Sequence, residues 1–414
     1  MFNWFCKTCS ALVRSTRIMN RVAVLFGLCI LALLTFGIIM LASTSAFGAW
    51  HTRGGDTFFF TRRQAVWMGL GLAVGGLLAW LDYRQLRKLA WALFILAALL
   101  LAGLLIFGTP INGAVRWYVL GPVRFQPSEF AKYALVILLA RWLEKAQRRP
   151  KGVEEPRMRH WWWGVWGPLS LAGGLGLLIL KEPDLGTTLL LGMVTLVLLW
   201  LAGASGRWLG VIVGTGMAAM AAFLVAIFQY EMFQDSYQVK RILRWWYEDD
   251  LEGSNYQQWI AMVALGAGGV EGVGLGNSRM KLAYLPEAHT DFIFPIIGEE
   301  LGLVASLAVV FVFCLLVVSG FLLSARAPDS FGRYLGCGIM TTIGLQTMIN
   351  LAVVTNAIPN KGMPLPFISY GGSNLVMTLA ALGIVLNIAR QGLAGADRGG
   401  LKAGFLTEGE EARN

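Results

Sequence analysis

Charged side chains are scarce in this chain: 14% of its 414 residues are Asp, Glu, Lys or Arg, against 56% that are hydrophobic. So little charge cannot cover a water-soluble domain of this size, which excludes a soluble enzyme and points to an integral membrane protein. Cysteine is thin as well. Cys29, Cys314 and Cys337 fall inside apolar runs, and Cys6 and Cys9 precede the first of them, so no loop carries a disulfide framework. The CxxC spacing of Cys6 and Cys9 lacks a second pair and reads as two ordinary cysteines near a membrane surface, with palmitoylation or metal binding as remote alternatives. Basic residues outnumber acidic ones, 34 to 24. They lie between apolar runs and not in one block or stripe, which argues against a nucleic-acid partner.

Long apolar runs are what the chain has in abundance. They predict an all-α polytopic membrane protein of about ten transmembrane helices, roughly 22–46, 64–81, 88–107, 128–143, 161–180, 186–203, 207–229, 298–324, 333–356 and 373–391. Residues 1–21 form a basic tail with Lys7, Arg14, Arg17 and Arg21. The run after it is too long for a signal peptide and lacks a small-x-small cleavage site, so it is read as a retained span. With the N-terminus in the cytoplasm, the inner loops hold Arg84, Arg87 and Lys88, then a cluster from Arg141 to Arg159, then Arg326, Arg333, Arg390, Arg398 and Lys402. That bias sets the orientation. Both termini are then cytoplasmic, residues 22–391 form the membrane domain, and 230–297 is one large outer segment between spans seven and eight. The tail 392–414, ending in Glu408, Glu410 and Glu411, is expected to be disordered. Trp50, Trp161, Trp162, Trp163, Trp166 and Trp208 fit an interfacial belt.

Polar islands interrupt this pattern. The run GLGNSRMKLAYLPEAHTDFIFPIIGEELG, from Gly274 to Gly302, places Glu287, His289 and Asp291 just before an apolar stretch, with Glu299 and Glu300 after it. A helix from Asp291 onward would align Asp291, Pro295, Gly298, Glu299 and Gly302 on one polar or small stripe. Asp291 can then be a general base at a cavity wall, its acidity weakened by lost hydration, or merely a helix cap; the local pattern leaves the two level. In NGAVRWYVLGPVRFQPSEFAKYAL, Pro127 and Ser128 open a helix with Glu129 in its first turn. Lys132 then points from within a span, where an ammonium must either pair with Glu129 or serve an anionic ligand. KEPDLGTT is a tight turn in which Asp184 is best read as a helix cap. IPNKGMPLPFISYGGSNL carries three prolines and a Gly-rich turn opening the last span, a ready anion site. In the outer loop, Lys240, Arg241 and Arg244 precede Trp245, Trp246 and an acidic run. That stretch is either an amphipathic helix on the outer leaflet or a solvated charged face.

The outer side thus gathers Arg63, Arg116, Arg124, Lys132 and Lys361 with one well-placed carboxylate. That set suits a substrate with a pyrophosphate leaving group and a hydroxyl to be deprotonated.

Together the islands resemble the SEDS family (shape, elongation, division and sporulation) over roughly residues 22–391. The motifs are GAVRWYVLGPVRFQPSEFAK, EPDLGTT, the Gly274–Gly302 run and NKGMPLPFISYGGSN. PEAHTD is closer to division members than to elongation members, while Asn360 and Asn374 stand where Thr and Ser are expected. The resemblance implies a peptidoglycan glycosyltransferase that polymerises lipid II into glycan strands at the outer face of the cytoplasmic membrane, at the division septum; with no second carboxylate to name as a nucleophile, a single direct displacement makes the transfer inverting. The resemblance also implies Asp291 as the catalytic residue and Arg63, Arg116 and Lys132 on the pyrophosphate, with Glu129 beside them. Lys361, Ser369, Gly372 and Ser373 would line the same cavity, and Asp184, His289, Glu299 and Glu300 would support it. The expected partners are lipid II, the growing strand, a class B penicillin-binding transpeptidase and septal regulators. No metal site is read from the residues; a divalent cation is the one candidate cofactor. A lipid II flippase and a noncatalytic scaffold for the transpeptidase are the rival readings.

Overall fold

The computed structural model describes residues 16–411 apart from 53, 112–113, 122, 149–156, 230–238, 240–242, 244, 247–253 and 283. Cys6, Cys9, most of the basic tail and most of the Lys240–Glu252 stretch lie outside the described residues.

Every expected span is helical. In order the elements are α1 (Thr16–Thr52), α2 (Phe59–Trp80), α3 (Arg84–Phe107), the strands β1 (Thr109–Ile111), β2 (Ala114–Leu120) and β3 (Val123–Phe125), then α4 (Pro127–Ala146). After a π-helical turn at Trp162–Trp166 come α5 (Gly167–Lys181), α6 (Leu185–Leu201), α7 (Gly206–Gln229), α8 (Ser254–Gly268), α9 (Ile293–Ala325), α10 (Ser330–Val354) and α11 (Gly372–Glu411). Seven of these helices are long and apolar enough to cross a membrane, and Leu185–Leu201 is a shorter apolar one, as a multi-pass membrane protein requires.

The most enclosed helix is α4. Its residues from Pro127 to Ala140 are buried all round except Phe130, because α3, α6, α10 and α11 pack against it. A helix so placed can carry Glu129 and Lys132 at membrane depth, since protein and not lipid surrounds them. The helix α2 packs along α11, and α9 packs on α1, α8 and α10. By contrast, no residue in the membrane-crossing window of α7 is buried.

Three features depart from the sequence reading. First, the outer segment between α3 and α4 is an antiparallel sheet in the order β1-β2-β3, with Thr109 opposite Trp117 and Tyr118 opposite Phe125. Alternating β-branched and aromatic residues such as Val115, Trp117 and Val119 favour strand over loop, and Tyr118 donates from its hydroxyl to the Leu100 carbonyl at 2.8 Å, tying the sheet to α3. Second, α9 starts at Ile293 and not at Asp291, so the proposed stripe is broken at its head; it is broken again at Gly302, which is left-handed (φ 75°). Residues 269–274 fill that second break: Leu303 donates its N–H to the Gly269 carbonyl at 3.0 Å, and the Glu299 and Glu300 carbonyls accept from Val273 and Gly274 at 2.9 Å each. Third, the last helix is a single element from Gly372 to Glu411, longer than the span expected at 373–391. Each residue added to a helix already anchored in the bundle gains a backbone hydrogen bond without a new nucleation cost.

Candidate active site

Four outer segments meet at a cavity of about 220 Å³: β2, the approach to α4, the chain before α9 and the chain before α11. Among its lining residues are Arg116, Trp117, Glu287, Thr290, Asp291 and Tyr370. All of them belong to loops that the charge bias assigns to the outer side.

Asp291 is half-buried at the cavity wall. It does not cap α9, whose N-cap is Phe292 with no side-chain bond, so the capping alternative does not hold. Its position is set from other elements. The Asn350 amide on α10 donates to the Asp291 carbonyl at 2.8 Å and to the Met363 carbonyl at 2.7 Å, clamping the two loops together. Burial pushes the Asp291 carboxyl up to about 7; the Glu287 and Asp184 carboxylates add to this, and the Arg116 guanidinium opposes it. A carboxylate so placed takes up a proton readily near neutral pH, as a general base must.

Arg116 reaches the cavity from β2. Its Nε donates to the Glu182 carbonyl at 3.1 Å and its terminal nitrogen to the Pro183 carbonyl. Carbonyls hold the guanidinium without neutralising it, which leaves its charge for an anionic group. Behind it, Glu182 is buried, with Oε1 unpartnered among the described residues. Burial and the Asp184 charge push its carboxyl up to about 8, against the pull of Arg116. Asp184 itself is the N-cap of α6, accepting from the Thr187 N–H at 3.1 Å and the Thr187 hydroxyl at 2.8 Å.

Several expected lining residues are engaged elsewhere. Lys132 is fully buried, paired with Glu129 at 2.8 Å and donating to Gln346 Oε1 at 2.7 Å. The pairing alternative therefore holds for it. The pair touches the cavity only through its neighbours: Glu129 accepts from Asn374 at 3.0 Å, and Gln346 donates to the Pro364 carbonyl at 2.9 Å. Ser369 Oγ accepts from the Leu365 N–H at 2.8 Å. Ser373 Oγ accepts from the Gln126 N–H at 3.2 Å and donates to the Arg124 carbonyl at 3.1 Å, so it ties α11 to β3. Gly372 packs on the Trp67 ring, and the neighbouring Gly371 N–H is taken by Gln64 at 3.3 Å, so this turn offers less to an anion than its composition suggested. Arg63 lies over the Phe59 ring at 5.5 Å, and Lys361 is half-buried beside Gly362; neither lines the cavity.

His289 sits against the Phe60 and Tyr370 rings, at centroid distances of 4.7 and 5.9 Å, and burial holds its imidazole below the usual range. Its carbonyl accepts from the Tyr370 N–H at 2.9 Å, joining the loops before α9 and α11. Glu299 accepts from the Ser278 hydroxyl and from the Arg279 N–H at 2.9 Å, while Glu300 is buried against Lys281 at 2.6 Å and Ser43 at 2.8 Å. These two carboxylates hold the chain that leads to Asp291.

Sequence reading gave no role to Glu182, Glu287 or Asn350. An Asn inside an apolar span is a signal for the last, since an amide there must find partners in protein. Among the described residues no cluster of three or more His, Cys, Asp or Glu could hold a metal ion.

The chain is similar to known proteins in both sequence and fold. The model of the FtsW/RodA/SpoVE family, described as cell cycle proteins, matches residues 23–393. A protein of Geobacter sulfurreducens named probable peptidoglycan glycosyltransferase FtsW is 38% identical over 366 residues, covering 86% of this chain and 92% of its own. Stage V sporulation protein E of Bacillus subtilis is 35% identical over 364 residues, covering 87% and 94%. Among solved structures, a chain of a peptidoglycan synthase complex for polymerization and crosslinking superposes with a TM-score of 0.71 at 31% identity, covering 89% of this chain and 97% of that one. The Thermus thermophilus rod shape determining protein RodA superposes with a TM-score of 0.62 at 29% identity, covering 88% and 95%. With its family motifs spread over nearly the whole membrane domain and its fold shared with solved members, the chain belongs to the FtsW/RodA/SpoVE family, the SEDS proteins of the bacterial cell membrane.

Proposed function

We propose that the protein is a peptidoglycan glycosyltransferase that polymerises lipid II at the outer face of the membrane. Asp291 is the base that takes the acceptor hydroxyl proton, and Arg116 steadies the pyrophosphate of the donor as it leaves. The observation that carries this reading is the Asp291 carboxyl, raised to about 7 in the same outer cavity as the Arg116 guanidinium. A base near neutral beside a cation for the leaving group is the minimum set for direct displacement at a glycosyl phosphate, and a single displacement inverts the anomeric centre. The FtsW relative is named a peptidoglycan glycosyltransferase, and the synthase complex joins polymerization to crosslinking, which supports the same activity; in this reading the protein works in septal wall synthesis with a class B penicillin-binding transpeptidase and septal regulators. Both termini are cytoplasmic in this arrangement. Any divalent cation the reaction recruits belongs with the donor pyrophosphate, not with a protein cage.

Clustering of the charges at the outer ends of the spans favours an outward-opening enzyme over a flippase, whose charges would continue toward the cytoplasmic half. The test is polymerisation of lipid II by the purified protein, alone and with its transpeptidase. Wild type extends strands and Asp291→Asn does not; an Asp291→Asn protein as fast as wild type refutes the assignment.

A further inference from the structure

Activation of the acceptor leaves a proton on Asp291 at every turnover, and that proton has to leave before the next. Asp291 is poorly placed to release it alone: its carboxylate packs on Gly362 and its backbone is clamped by Asn350. Glu287, four residues earlier, lines the same cavity but is exposed. Its backbone is left-handed, φ 57°, a conformation unfavourable for a residue with a side chain and one often retained at working sites. Two further bonds keep it in place. The Glu287 carbonyl accepts from the Thr290 N–H at 3.0 Å, and its Oε2 accepts from the Thr290 hydroxyl at 2.7 Å, leaving Oε1 for another partner.

We propose that Glu287 is the proton outlet of this site, taking the proton from Asp291 and releasing it to the outer medium. This rests on the glycosyltransferase reading. In the full step the acceptor O–H breaks as its oxygen bonds to the anomeric carbon of the donor. The bond from that carbon to the pyrophosphate oxygen breaks, with its electron pair leaving on the pyrophosphate. The proton lands on Asp291, crosses to Glu287 and is lost to water, restoring both carboxylates. Neighbouring groups do not offer this route. Arg116, and Lys361 beside Gly362, are cations; the buried Asp184 carboxylate is occupied by Thr187; His289 is packed against Phe60 and Tyr370.

The experiment is lipid II polymerisation by the full-length protein in dilute buffer and in rising imidazole, a small buffer that can carry protons itself. Glu287→Gln is expected to be about tenfold slower than wild type in dilute buffer and to recover as imidazole rises, with wild type unaffected. Glu287→Asp is expected to keep most of the rate without imidazole. A Glu287→Gln rate equal to wild type in dilute buffer, or a slow rate that imidazole does not raise, overturns the proposal. Asp291→Asn run alongside separates the two readings: its inactivity keeps the base assignment whatever Glu287 does, and full activity refutes the base itself.

Discussion

Asp291 Oδ2 and Gly362 are in contact, so that a Cβ added at position 362 would lie 2.6 Å from that oxygen. The loop before α11 therefore serves as a backstop for the carboxylate, and only a residue without a side chain fits there. Gly362→Ala should push the carboxylate off its line and lower polymerisation by about tenfold to a hundredfold, since displacement of a base by about 1 Å has effects of that size. Thermal unfolding in detergent should move little, because the cavity has room for a methyl group once Asp291 shifts. Rate and melting temperature measured on the same preparation check both halves.

A carboxyl held up to about 7 in the folded protein, against an ordinary value near 3.9 in the unfolded chain, favours the folded state only while it is protonated. That contribution is full below about pH 4 and is lost as pH rises through about 7. At pH 8 the folded protein bears the cost of a half-buried carboxylate, and Asp291→Asn should stabilise it by about 1–2 kcal/mol after allowance for solvent in the cavity. At pH 4.5 the gain should be small. Melting curves of both proteins at the two pH values test this, and an equal gain at both would count against it.

The rate–pH profile should be bell-shaped. Its acid limb reflects Asp291, which must lose its proton to act as base, so activity rises through about pH 7. The alkaline limb reflects Glu182, whose ionisation near 8 places a negative charge beside Arg116 and weakens its hold on the leaving pyrophosphate. Glu182→Gln should keep the acid limb and flatten the alkaline one, measured as initial rates from pH 6 to 10.

Lys132 and Glu129 form a pair inside the bundle, and removing one member strands the other. Lys132→Met alone should destabilise the protein by about 3–5 kcal/mol, while Lys132→Met with Glu129→Leu should recover much of that loss. If Lys132 instead held the substrate, the double variant would be stable and inactive, so melting temperature and polymerisation together decide between the roles.

The pair also shows why a linear reading leaves alternatives open. Spacing at i, i+3 puts Glu129 and Lys132 within reach, but a substrate phosphate could equally have drawn the ammonium. Gln346 on α10 and Asn374 on α11, more than two hundred residues away in the chain, complete the pair's hydrogen bonds and enclose it. The serines of the last outer loop teach the same lesson. Hydroxyls in a Gly-rich turn can bind a ligand or bind the chain itself, and Ser369 and Ser373 bind backbone groups of Leu365, Gln126 and Arg124.

What the sequence determined by itself is whatever depends on local composition: the apolar spans, the charge bias between their loops, the cap at Asp184 and the presence of an acid at 291 among the polar islands. These follow from free energies of transfer and from short-range hydrogen bonding, both of which can be read from neighbouring residues. The surroundings of that acid exist only in the folded chain. Asp291 lies ahead of the helix it could have capped; burial and the Glu287 and Asp184 carboxylates raise its carboxyl against the pull of Arg116, while Asn350 and Gly362 hold it in place, and separate elements bring these groups to it. The physical reason is that desolvation and electrostatic fields depend on distance in space, and the four outer segments that set them are far apart in the chain and meet only when the helices pack.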